Sequence, residues 1–286
     1  GLSKSAEIWF NELRLTDFNN RGGWAANARM QTKLADLGTV SMAGATSKPG
    51  FGSIEQKVDQ RSHEETNQYD LSTNIELGKL FPEKSKVTIP LFIGLSNTTI
   101  NPEYYPLEPD RLLSDVLREA RSDEERRRIK EISQDFTQRN SVNFTNIRVN
   151  RDLKKWRIFS PANFSLSTAY SETHARSYKI ERNNIIQYKV GFNYVYNARP
   201  KSITPFSKAK SLKSPYFRII KDFNFTLFPN RITFRTNFDR NYNEIKLRNV
   251  YQDRDIKIDS TVTKDFLWDK YFDLAWDLTR SLKFDF

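Results

Sequence analysis

Side chains able to do acid–base or metal chemistry are few and poorly grouped. The 286 residues include two histidines, His63 and His174, and no cysteine. With no thiolate there is no disulfide framework, no thiolate zinc site and no cysteine nucleophile. Two imidazoles cannot build a histidine-rich metal centre. His63 stands in the charged run Arg61-Ser62-His63-Glu64-Glu65, and His174 follows Tyr170-Ser171-Glu172-Thr173 at a strand end. Neither has a motif partner, so both read as solvated polar residues. The nucleophile-elbow, H-E-x-x-H and Walker A patterns are absent. Gly50-Phe51-Gly52 reads as a turn rather than a phosphate loop. The series Asp265, Asp269, Asp273 and Asp277 lacks the residue order of a calcium loop and reads as a wetted strand face. The expectation is no catalytic, cofactor-binding or metal residue, and no enzyme. Four N-x-[ST] patterns begin at Asn97, Asn143, Asn163 and Asn224. Three are placed inside strands, where a glycan would clash with pairing, and they read as chance.

The charge gives no second chemistry. Lys and Arg number 46 against 35 Asp and Glu, a net +11. A nucleic-acid binder would gather these cations on one face beside exposed aromatics. Here they are spread from Arg14 to Lys283, and the densest patch, Arg199–Lys213, reads as a loop between strands. No nucleic-acid partner is expected.

The elements carry most of the information. Aromatic residues make up 13% of the chain, which argues against disorder. Period-two alternation recurs at Trp24–Leu34, Tyr69–Leu77 and Ile185–Asn197. A hairpin is expected over Asp222–Asp239, with Phe223, Phe225 and Leu227 before a turn at Pro229-Asn230 and Ile232, Phe234 and Phe238 after it. Further strands are expected near Glu7–Leu15, Thr39–Ser47, Val87–Ser96, Val142–Val149 and Asn163–Tyr170. Such alternation marks strands with one apolar and one polar face. Only Pro109–Phe136 reads as helical. Pro109 suits a first helical turn, Leu112, Leu113, Val116 and Leu117 make one stripe, and Ile129, Ile132 and Phe136 make a second. Ser122 with Glu125 makes a capping box. A solvated helix pair and a lid or plug are both open readings of this insert.

From Asp265 to Phe286 the even positions include Phe266, Trp268, Phe272, Leu274, Trp276 and Leu278, and the odd ones Asp269, Asp273 and Asp277. A helix would stack those carboxylates at i,i+4, where they repel. One or two strands separate an aromatic face from an acidic one. Two environments fit: a soluble sandwich, whose apolar face meets a second sheet, and a transmembrane barrel, whose apolar face meets lipid. Long strands favour the barrel, since a spanning strand needs about 9–11 residues. Trp9, Trp24, Tyr194, Tyr196 and Trp268 then suit interfacial girdles near strand ends. On this reading Phe266, Trp268, Phe272, Leu274, Trp276 and Leu278 face lipid, and Asp269, Asp273 and Asp277 face the lumen. The best apolar run, Ile89–Leu95, holds Pro90 and Gly94 and is too short for a spanning helix. The start of the chain lacks an initiator Met and a signal-peptide pattern, so a mature protein or a piece of a longer one is expected.

Specific runs carry a family resemblance. Glu7–Ser41, Gly50–Lys57, Val87–Ser96, Asn101–Asp110, Ser141–Arg148 and Asp269–Phe286 together resemble the SprA/Sov family, the giant outer-membrane translocons of the type IX secretion system. The resemblance implies one very large barrel that passes folded cargo across the bacterial outer membrane, with a link to gliding motility. It implies secreted cargo, outer-membrane lipids, lipoprotein and plug subunits and the rest of the parent barrel as partners. The chain is far shorter than the whole family protein and would be one arc of that barrel. The expected fold is all-β and mainly antiparallel, a segment of a large transmembrane β-barrel with one short helical insert. Barrel strands are expected in 1–108 and 137–286, with the insert at 109–136. The rivals are a soluble β-sandwich binding polysaccharide or nucleic acid, and a phospholipase-type barrel enzyme, for which no Ser/His pair can be placed.

Overall fold

The computed structural model describes residues 21–57, 60–150, 157–198, 200–207, 216, 218–250 and 256–286. Strands β1 (Ala25–Leu34), β2 (Gly38–Ser47) and β3 (Glu64–Glu76) open the fold. They are followed by β4 (Val87–Thr88), β5 (Pro90–Pro102), β6 (Tyr104–Tyr105) and β7 (Glu108–Leu112). Helices α1 (Leu113–Glu119) and α2 (Asp123–Ser133) come next. The chain then returns to strands: β8 (Asp135–Val149), β9 (Phe164–Arg176) and β10 (Ile180–Asn197). A short helix α3 (Arg218–Lys221) precedes β11 (Arg231–Leu247), β12 (Thr261–Asp277) and β13 (Lys283–Asp285).

The architecture is a meander. One sheet runs β1-β2-β3-β5-β8-β9-β10-β11-β12-β13, with β4 also paired to β8, while β6 and β7 form a small ribbon of their own. Every pairing is antiparallel. The sheet does not close on itself among the described residues, so β1 keeps a free edge, and β13 covers β12 only at Ala275–Asp277. Turns lie alternately at two ends. The three-residue turn 35–37 lies at the end where β12 stops, and the turn 177–179 at the end where β12 starts. Ala35 takes a positive φ of 50° in the first of these turns. In β8, Asn146 (φ 56°) forms a bulge where the pairing with β9 slips between Phe144 and Ile147. Extra residues of this kind bend a strand and raise its local twist.

No second sheet lies on the first among the described residues. The buried apolar residues are Tyr105, Leu113, Val116, Ile132 and Tyr196, and the one cluster of them lies in the insert, where Leu107, Leu117 and Ile129 pack on Tyr105, Leu113 and Val116. The main sheet has no core of its own.

Several expectations change here. Phe223–Leu227 is not a strand: Phe225 makes one isolated bridge with Ile203, and Thr226 and Asn230 are tied to the end of β12. The true partner of β11 is β10, across the long connection 198–230. Three alternating apolar residues ending at a proline were too short a signal to separate strand from loop. Pro109 lies in β7 rather than in a first helical turn, and α1 begins only at Leu113. Phe136 lies in β8. Ser122 caps α2 as expected by accepting from Glu125 N, but the Glu125 carboxylate turns back to Arg121 N, one residue before the cap. Only Asn97 and Asn143 of the four N-x-[ST] sites lie in strands; Asn163 ends a single turn of 3-10 helix and Asn224 lies in a loop. The expected strand Glu7–Leu15 and Trp9 lie outside the described residues.

Candidate two-faced wall

Directly paired residues in an antiparallel ladder point to the same side of the sheet. The strand register therefore traces each face across the whole meander. One row runs Ile75, Leu91, Phe144, Thr168, Val190, Phe238, Trp268. The neighbouring row on the opposite side runs Ser41, Ser72, Gly94, Ser141, Ser171, Gln187, Asn241, Asp265. One face is thus aliphatic and aromatic, the other small and polar.

The apolar face is built from ring contacts. Phe234 and Phe272 meet at a tilt with ring centres 4.9 Å apart, as do Tyr170 and Tyr188 at 5.0 Å and Phe164 and Tyr194 at 5.0 Å, while Phe238 lies nearly parallel to Trp268 at 5.3 Å. The Trp268 indole N–H donates to Thr236 Oγ1 at 2.7 Å, so the polar handle of the ring is satisfied within the face. These side chains remain open: Phe266 is 65% exposed and Phe272 63%. An apolar surface this continuous marks a contact with something other than water.

On the other face two ion pairs cross neighbouring strands. Lys189 meets Asp239 at 3.0 Å and Arg231 meets Asp273 at 3.1 Å. Phe92, Ile185, Ile245, Leu267 and Tyr271 are apolar exceptions on this side.

The two predicted sets on β12 separate cleanly. Phe266, Trp268, Phe272, Leu274 and Trp276 share the aromatic face, and Asp269, Asp273 and Asp277 share the polar one. Leu278 lies just past the strand end. The even-numbered parity survives the following turn, since Phe284 pairs with Trp276. The Asp side chains have different duties. Asp273 pairs with Arg231, Asp277 accepts from Asn230 Nδ2 at 2.5 Å, and Asp269 has no side-chain partner among the described residues. Trp268 lies in the middle of β12 rather than near its end, whereas Tyr194 and Tyr196 do lie near the end of β10.

Sequence reading missed a polar cluster at one end of the apolar face. His174 bonds Asn184 Oδ1 at 2.7 Å and Glu172 at 2.6 Å, and Tyr170 O–H donates to Glu172 at 3.1 Å. Arg182 meets Glu244 at 2.7 Å nearby. The pairing of His174 with Asn184, ten residues apart, was hidden until the turn 177–179 fixed the register. His63, in its loop, bonds Glu103 at 2.7 Å instead of standing free in solvent. Among the described residues no group of His, Asp and Glu could hold a metal ion.

Among the described residues no helix is long and apolar enough to cross a membrane, which leaves crossing by strands untouched. Fold and faces define the class: an all-β protein built as a single antiparallel layer with one apolar and one polar side. Residues 1–117 match the family model SprA_N, described as motility related/secretion protein, and over that part the chain is similar to the SprA family. Its function is accordingly related to motility and secretion. No curated protein matches the chain.

Proposed function

We propose that this chain is part of the wall of a type IX outer-membrane translocon, with its aromatic face in lipid and its polar face lining the path of folded cargo. The observation that carries the reading is the shape of the apolar band. On β10 the band runs without interruption through Ile186, Tyr188, Val190, Phe192, Tyr194 and Tyr196. Ten residue steps at about 3.3 Å each give about 33 Å along the strand. The band also drifts. Its centre on β3, between Tyr69 and Ile75, is Ser72, whose row ends at Asp265, yet the centre on β12, between Phe266 and Trp276, is Tyr271. That is six residues of drift, about 20 Å, across six strand spacings of about 4.8 Å each, so the strands lean roughly 35° from the band's normal.

A lean of that size is the tilt of closed transmembrane barrels, and it shortens the 33 Å band to about 27 Å, close to the height of their apolar girdle. A soluble sandwich would need a second sheet on the aromatic face, and the described residues supply none. Secreted cargo, outer-membrane lipids, lipoprotein and plug subunits and the remaining strands of the barrel are the partners of this reading, with no chemistry performed by the segment itself.

Cysteine accessibility tests it directly. This chain has no cysteine, so single cysteines at 269, 272, 273 and 274 can be placed in the full-length protein, in a background freed of any others. Membrane-impermeant thiol reagents are expected to label 269 and 273 quickly and 272 and 274 slowly. Equal labelling at all four positions would end the wall reading.

A further inference from the structure

On the polar face Lys189 and Arg231 have acidic partners, whereas a small group of cations on the aromatic face has none among the described residues. Arg240, Lys264 and Lys270 point to the aromatic side, and no carboxylate pairs with them among the described residues. The nearest acid on that face, Glu244, is already held by Arg182 at 2.7 Å and accepts from the Tyr242 O–H. Two of the cations flank one ring. Phe266 lies directly opposite Arg240 and Lys264 precedes it by two residues on the same face, while Lys270 lies four residues further along the strand. The Lys270 ammonium lies 3.4 Å from the centre of the Trp268 ring, and Lys264 lies 5.8 Å over Tyr242. Lys270 starts at the middle of the band and lays its charge against the Trp268 ring. Long cationic side chains behave in this way at a membrane interface, where the stem lies on apolar surface and the charge seeks the headgroups.

From this arrangement we infer a binding site for an anionic membrane lipid: Arg240, Lys264 and Lys270 hold its phosphate, and Phe238, Phe266 and Trp268 carry its acyl chains. Resting on the orientation proposed above, this assignment adds the class of lipid that contacts β11 and β12. A phosphate between a guanidinium and two ammonium groups gains charge-assisted hydrogen bonds that a zwitterionic headgroup, with its own cation, does not match. Free phosphate would leave the ring platform unused.

The test uses the full-length protein in phosphatidylcholine vesicles, with a bimane fluorophore on a single cysteine replacing Tyr188, the neighbour opposite Arg240. A minor fraction of lipid carries brominated chains, either as phosphatidylglycerol or as phosphatidylcholine. Brominated phosphatidylglycerol is expected to quench the fluorophore with an apparent affinity at least about fivefold higher. In the R240Q/K264Q/K270Q variant the two lipids should quench alike, while K189Q, on the polar face, keeps the preference. If the triple variant does not insert, K264Q and K270Q alone should each narrow the ratio. Equal quenching by both lipids in the unaltered protein would overturn the lipid site while leaving the wall reading intact. It is also the result expected if an acidic strand along the open edge of β12 neutralises the cations. No quenching by either lipid would remove the wall reading itself. A preference that survives all three substitutions, or that inorganic phosphate abolishes, would also overturn the site.

Discussion

Phe272 and Trp276 share a face and differ in depth. Phe272 lies at the centre of the apolar band on β12, whereas Trp276 is the last but one residue of the strand and donates its indole N–H to the Thr226 carbonyl at 3.2 Å. An arginine in lipid costs about 2–4 kcal/mol at the midplane and about 0–1 near an interface. Phe272→Arg is therefore expected to destabilise the inserted protein by about 3 kcal/mol and Trp276→Arg by about 1, read from folding equilibria in vesicles. Asp269→Arg, on the wet face with no partner to lose, should be nearly neutral; Asp277→Arg should not, because it breaks the bond from Asn230. Similar costs for Phe272→Arg and Asp269→Arg would contradict the facing. The histidines make a separate case. His63 and His174 both contact carboxylates, but neither faces a nucleophile. Changing both to Ala should leave secretion by the full protein unchanged at normal protein levels, and lost secretion with normal insertion would show that the segment does more than form a wall.

At the level of elements, alternation marked the apolar band rather than the strand. On β10 the alternating stretch Ile185–Asn197 was legible, yet the strand begins at Ile180, where Arg182 and Asn184 put polar groups on the apolar face. β3 and β9 extend beyond their alternating stretches in the same way, through Glu64–Gln68 and Ser171–Arg176. Beyond the band both faces are polar, so the period vanishes while the ladder continues. The helical insert was legible from its stripes because it alone has a core. Burial of Tyr105 raises its hydroxyl above the ordinary value. The stability this contributes is present below the unfolded tyrosine value of about 10 and is lost as the pH rises through the folded value. Amide exchange in the insert should therefore quicken as the pH rises into the alkaline range. Ser122→Ala should remove about 1 kcal/mol from α2, seen as faster amide exchange in 123–133 with the sheet strands unchanged. Equal acceleration throughout the sheet would mean that the insert braces the wall.

For the whole molecule, the missing core decides its behaviour outside a membrane. Among the described residues the chain offers an aromatic face, a bare edge along β1 and a nearly bare edge along β12. Such edges pair with other copies. The 286-residue chain should aggregate in plain buffer and disperse in detergent, as sedimentation would show; a cooperatively folding monomer without detergent would favour a soluble sandwich. The strands also outrun the band. β10 continues for the six residues from Ile180 to Ile185, about 20 Å of strand, beside the Gln138, His174 and Glu244 ends of its neighbours. On the proposed orientation lipid would grip only part of the wall, and the remainder would stand clear of the bilayer as a parapet wetted on both sides. Whatever passed along the polar face would then meet bulk water on the far side of that rim, not at the surface of the membrane.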